Sequence, residues 1–66
     1  MILNLDFNSD IPNYTQIREQ IIKSIASGDL KINESLPSVR NMAEEIGVNL
    51  HTVNKSYNLL KDEGYI

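Results

Sequence analysis

The sequence predicts a mainly α fold in which three helices pack together and the last two form a helix-turn-helix. Two observations predict it. Apolar side chains recur at helical spacing in three separate stretches, and a glycine closes each stretch: Gly28, Gly47 and Gly64. The second and third stretches, LPSVRNMAEEIG and VNLHTVNKSYNLLKDEG, follow one another directly at Gly47, which is how two helices come to meet at a corner.

The first helix is expected over roughly residues 12–27. Pro12 suits a first helical turn, because the N–H it lacks has no partner there. Tyr14, Ile17, Ile21 and Ile25, with Ile22 beside them, form one apolar stripe. Gly28 stands where a left-handed C-terminal cap is expected. The connection DLKINESLP brings Leu30, Ile32 and Leu36 as candidates to tuck against the core. Asn33 tolerates a positive φ, so Ile32–Asn33–Glu34 reads as a turn, with a very short strand near Ser35–Leu36.

The second helix is expected over 38–46, with Ser38 as its N-cap just after Pro37. A full capping box would place Glu or Gln at position 41, where Asn41 stands instead. Val39, Met42, Ala43 and Ile46 give its inner face, and Val48 plugs the corner after Gly47. Asn49 suits the cap of the third helix, expected over 50–63. Leu50, Val53, Tyr57 and Leu60 repeat at intervals of 3, 4 and 3, which predicts an inward stripe down to Gly64. Tyr65 and Ile66 read as the start of a strand.

Length and composition bound the function. A chain of 66 residues is one small domain, and at this size only about 60% of the unfolded surface is buried. With no cysteine there is neither a disulfide framework nor a thiolate metal site. The N-terminus MILNLDFNSD has no basic region ahead of an apolar one, so it is not read as a signal peptide. No apolar run approaches the roughly 20 residues of a membrane span, and the expected location is the cytoplasm. One histidine, no Gly-rich phosphate loop and no carboxylate pair placed for acid–base work exclude an enzyme. No catalytic residue and no cofactor is expected. His51 has no second ligand at i+4, so no metal site is expected either.

The net charge of −3 argues against a binder held to nucleic acid by bulk charge alone. The charge is uneven, however. Residues 1–35 carry three basic and five acidic side chains, and 62–66 carry two acidic ones. The span 36–61 sets Arg40, Lys55 and Lys61 against Glu44 and Glu45, for +1.

If the apolar stripe of the third helix faces inward, His51, Asn54, Lys55 and Asn58 face solvent. Asparagine is a mediocre helix former, and mid-helix positions chosen for stability alone would favour Glu, Lys, Ala or Gln. An Asn amide donates and accepts at once, matching adenine N6 and N7 in the DNA major groove. Lys55 reaches a phosphate or a guanine edge. Thr52, in the first turn, offers a hydroxyl and nearby backbone N–H groups to a phosphate. Ser38 and Arg40 open the second helix, where an arginine clamps a phosphate beside the helix N-terminus. Arg40 has an alternative partner in Glu44, four residues on. Tyr57 is expected in the core with its hydroxyl at the surface.

The run from Pro12 to Ile66 also resembles the N-terminal winged helix-turn-helix domain of the GntR family of bacterial transcription regulators. The matching stretches are PNYTQI, ASGDLK, LPSVRNMA, GVNLHTVNKSYNLL and DEGYI, and the opening LDFNSDIP is similar to the YtrA-like branch. The resemblance implies a single winged helix-turn-helix domain over 1–66 with the wing hairpin truncated after Tyr65–Ile66, in a fragment of a longer regulator. It implies operator contacts at Ser38, Arg40, Asn49, Leu50, His51, Thr52 and Asn54, with Lys55 and Tyr57 placed to touch phosphate. Leu50 and His51 stand where some relatives carry Arg or Thr, so no operator sequence transfers. Asn33 replaces the usual turn glycine.

The expected function is sequence-specific binding of a double-stranded, palindromic operator by a homodimeric repressor, with the third helix in the major groove. The alternative is a winged-helix module that binds another protein, which calls for an exposed apolar patch.

Overall fold

The computed structural model describes residues 3–30 and 36–66. Its elements are α1 (Asn13–Ser27), α2 (Val39–Ile46) and α3 (Leu50–Asp62), and there is no strand among the described residues. Helix α3 is the centre of the fold, since both α1 and α2 pack against it. The expected turn at Ile32–Asn33–Glu34, the short strand near Ser35 and the seating of Ile32 lie outside the described residues.

The core collects the apolar stripes read from the sequence. Ile17 and Ile21 come from α1, Met42 and Ala43 from α2, and Val53, Tyr57 and Leu60 from α3, with Leu30 sealing the end of α1. Leu36, Val39, Ile46, Val48 and Tyr65 pack around them, half-buried. Burying one such aliphatic side chain stabilises the fold by about 1.5–3 kcal/mol relative to leaving it exposed.

Helix ends are where the sequence acts most locally. Ser38 Oγ accepts the Asn41 N–H (3.1 Å) and Asn49 Oδ1 accepts the Thr52 N–H (2.9 Å), so both predicted caps form. Gly47 ends α2 with φ 72°, a left-handed value that a side chain would strain. The N–H of Val48 then reaches back to the Ala43 carbonyl (3.2 Å), and this turns the chain into α3.

The same device corrects the expected strand at Tyr65–Ile66. Gly64 takes φ 84°, its N–H bonds Lys61 O (3.1 Å), and the Tyr65 N–H bonds Leu60 O (2.9 Å). This is a Schellman closure of α3. The Tyr65 amide therefore serves the helix end, and its ring packs on the core.

Ahead of α1 lies an arm that apolar periodicity does not reveal. Gln20 and Gln16, one helical turn apart, hold its backbone as a neighbouring strand would. Asn4 N–H donates to Gln20 Oε1 (2.9 Å) while Gln20 Nε2 donates to Asn4 O (2.6 Å). Asp6 N–H donates to Gln16 Oε1 (2.8 Å), and Gln16 Nε2 reaches Asp6 O (3.0 Å) and Ile11 O (2.8 Å). Leu3 and Leu5 then fold against the core. At the other end of α3, Arg18 clasps Glu63 through Nε to Oε1 (2.6 Å) and Nη2 to Oε2.

Candidate nucleic-acid interface

Helices α2 and α3 start side by side, and an open cleft of about 460 Å³ forms where they meet. Ser38, Val39, Arg40, Leu50, His51 and Asn54 line it. Neither helix carries an acidic residue in its first turn. The partial positive charge of both helix N-termini therefore opens onto the cleft without a carboxylate to cancel it. Arg40 is exposed at the rim. Among the described residues its guanidinium lies within 4.0 Å of no carboxylate, so the alternative pairing with Glu44 is not made.

The ten residues singled out from the sequence divide into groups. Ser38, Arg40, Leu50, His51 and Asn54 come together in the cleft. Asn58 is exposed one turn further along α3. Asn49 and Thr52 form a closed unit at the start of the helix, in which Asn49 Oδ1 accepts both the Thr52 N–H and the Thr52 hydroxyl (3.0 Å). Their side chains build the platform from which His51 and Asn54 project.

Leu50 corrects the inward stripe. It is 43% exposed, because the first residue of α3 projects beyond the reach of α1 and lies in the cleft instead. The buried position that the stripe missed is Ser56, fully buried, whose Oγ donates to the Tyr14 carbonyl (2.7 Å) across the α1–α3 contact. A small hydroxyl lets the two helices approach closely and satisfies its own polarity. Its only sequence signal is its spacing, three residues after Val53 and four before Leu60.

Tyr57 is in the core and Lys55 is exposed, both as expected, and each has a partner within the chain. Tyr57 is 6% exposed, and its hydroxyl donates to Pro37 O (2.7 Å). It ties the approach to α2 down onto α3. Burial, and then the negative charge of Glu45, push its pKa up to about 12. The ammonium of exposed Lys55 sits over the ring of half-buried Tyr14, 3.9 Å from its centroid. That cation–π contact holds it on the α1 side of α3, apart from the cleft. Among the described residues no three side chains of metal-binding type come together, and no helix is long and apolar enough to cross a membrane.

Three helices, the last two meeting at a glycine corner with their N-termini around an open cleft, define a helix-turn-helix domain. Residues 13–66 match the family of bacterial regulatory proteins named gntR. The chain is 40% identical over 65 residues to the probable rhizopine catabolism regulatory protein MocR of Rhizobium meliloti, covering 98% of this chain and 13% of that protein. It is 38% identical over 65 residues to the HTH-type transcriptional repressor YtrA of Bacillus subtilis, covering 98% of this chain and 50% of that one. The solved structure of YtrA from Sulfolobus acidocaldarius, a GntR-family transcription factor, superimposes with a TM-score of 0.93 at 52% identity. That match covers 97% of this chain and 68% of the other. The chain thus spans half or less of these two curated relatives.

The chain belongs to the GntR family of bacterial regulatory proteins and is a helix-turn-helix DNA-binding domain of that family.

Proposed function

We propose that this domain binds a specific duplex operator by laying α3 in the major groove and clamping phosphate from the start of α2, and that it does so as one half of a homodimeric repressor in the cytoplasm. The observation that carries this reading is the cleft itself. Arg40 stands unpaired at its rim among the described residues, and His51 and Asn54 project from a helix whose opposite face is core. Asn54 supplies an amide suited to an adenine edge and Arg40 a charge suited to phosphate. A domain with so few cations on this face gains little from phosphate neutralisation alone. Pairing two domains on a palindrome, with half-sites about one helical turn apart, supplies the missing affinity. Three of the relatives are named as repressors, NagR and YtrA of Bacillus subtilis and the arabinose metabolism transcriptional repressor of Geobacillus stearothermophilus, which supports repression over activation.

An amide NMR titration of the chain with short duplex DNA at roughly 50 and 200 mM salt tests the reading. Shifts at Ser38–Arg40 and along Asn49–Asn58 that fade at the higher salt are expected. A folded chain whose spectrum does not move at either salt would overturn it. The second reading, a protein-binding module, draws on Phe7 and Ile11, which leave 61% and 48% of their surface exposed on the arm. Under that reading a partner protein shifts the amides of residues 6–12 and leaves those of α3 unmoved.

A further inference from the structure

The cleft between α2 and α3 has an apolar corner that phosphate clamping does not use. Leu50 is 43% exposed there, and half-buried Val39 lines the same cleft beside Arg40, His51 and Asn54. Among the described residues the other large exposed apolar side chains are Phe7 and Ile11 on the arm and Ile66 after α3, none of which lines the cleft. Leu50 therefore shares its cleft with the hydrogen-bonding groups of Arg40, His51 and Asn54, which a purely apolar protein-docking patch would lack. Base edges in the major groove present donors, acceptors and one apolar group, the 5-methyl of thymine.

We propose that Leu50, backed by Val39, seats the 5-methyl group of a thymine in each operator half-site. Asn54 reads a base pair close by through its amide, adenine being the one that matches both its donor and its acceptor. Residues four apart on a helix face stand about 5–6 Å from each other, and successive bases of a strand are about 3.4 Å apart along the axis. The two side chains thus address base pairs one or two steps apart. The proposal rests on the DNA-binding reading above and adds to it the identity of a base. It also gives the exposure of Leu50 a purpose, because a side chain hidden in the core reads nothing.

The test replaces the methyl group alone. The 66-residue chain, immobilised on beads, selects duplexes from a random library at roughly 50 mM salt. The selected duplex is then remade with deoxyuridine in place of each thymine in turn, which preserves pairing and removes only the methyl. One thymine per half-site is expected to lose about fourfold in affinity as uracil, the factor for one buried carbon. Leu50→Ala, a surface change whose folding is checked by its amide spectrum, is expected to bind both duplexes alike. Leu50→Met, apolar and of similar volume, keeps the discrimination. Uracil tolerated at every position, or a penalty that persists unchanged in Leu50→Ala, overturns the proposal. If a folded chain enriches no duplex, the DNA-binding reading itself fails and takes the thymine contact with it, so the two failures are told apart.

Discussion

Tyr57 shows how one residue of the expected core can also tie two segments together through its polar tip. Its phenol is buried and donates to Pro37 O, and its pKa stands at about 12, against about 10 for a free tyrosine. The folded state therefore holds the phenolic proton more tightly than the unfolded chain does. The stability linked to this group is complete below pH 10 and is lost as pH rises from about 10 to about 12. Tyr57→Phe is expected to cost about 1 kcal/mol near neutral pH through the missing hydrogen bond. It should also remove this group's part of the alkaline loss, and thermal melts of both proteins between pH 8 and about 12 check it. At the cleft, Arg40→Ala and Asn54→Ala are expected to separate charge from readout. The first should weaken binding to all duplexes and lower the salt slope by about 1. The second should cost about 1–3 kcal/mol on the selected operator only. Because both side chains are exposed, neither change should unfold the domain.

Each element was as legible as its forces were local. The three helices could be read because apolar spacing, capping side chains and closing glycines are properties of neighbouring residues, and Ser38, Asn49, Gly28 and Gly47 act where the sequence placed them. Leu50 was misplaced because periodicity fixes a face but cannot say how far along a helix the packing partner extends. Ser56 was missed because a buried serine resembles a surface serine until the carbonyl that receives its hydroxyl is known. The pairing of Gln16 and Gln20 with the arm depends on two segments meeting in space, and no window of sequence shows that. Of the candidate site, the cleft residues Ser38, Arg40, Leu50, His51 and Asn54 were all named from sequence or from family resemblance, whereas the commitments of Lys55 to Tyr14 and of Tyr57 to Pro37 needed coordinates. The arm yields its own prediction. Gln16→Ala removes three hydrogen bonds to the backbone of Asp6 and Ile11 and is expected to cost about 1–3 kcal/mol. Hydrogen exchange should then quicken at the Asp6 amide well before it does at Met42 in the core.

Across the whole molecule, the Arg18–Glu63 clasp joins the middle of α1 to the end of α3. The arginine holds the Glu63 carboxyl below its ordinary value. Its contribution is therefore present above the ordinary glutamate range and is lost as pH falls through the lowered value. Both side chains are solvent-accessible, so the effect is modest and is screened by salt. Glu63→Gln is expected to flatten the acid limb of the stability curve and to leave DNA binding unchanged, since neither partner lies at the cleft. Urea melts from pH 3 to 7, at roughly 20 and 500 mM salt, check both parts.

The seating of α3 between α1 and α2 has a calorimetric corollary. A helix already formed and packed on both flanks has little left to order when a duplex arrives, so association carries almost no folding term. The heat-capacity change of binding then reports only the surface removed from water at the contact. Titrations at several temperatures would measure the footprint of the domain on its DNA, with a value far below that of a segment that folds as it binds.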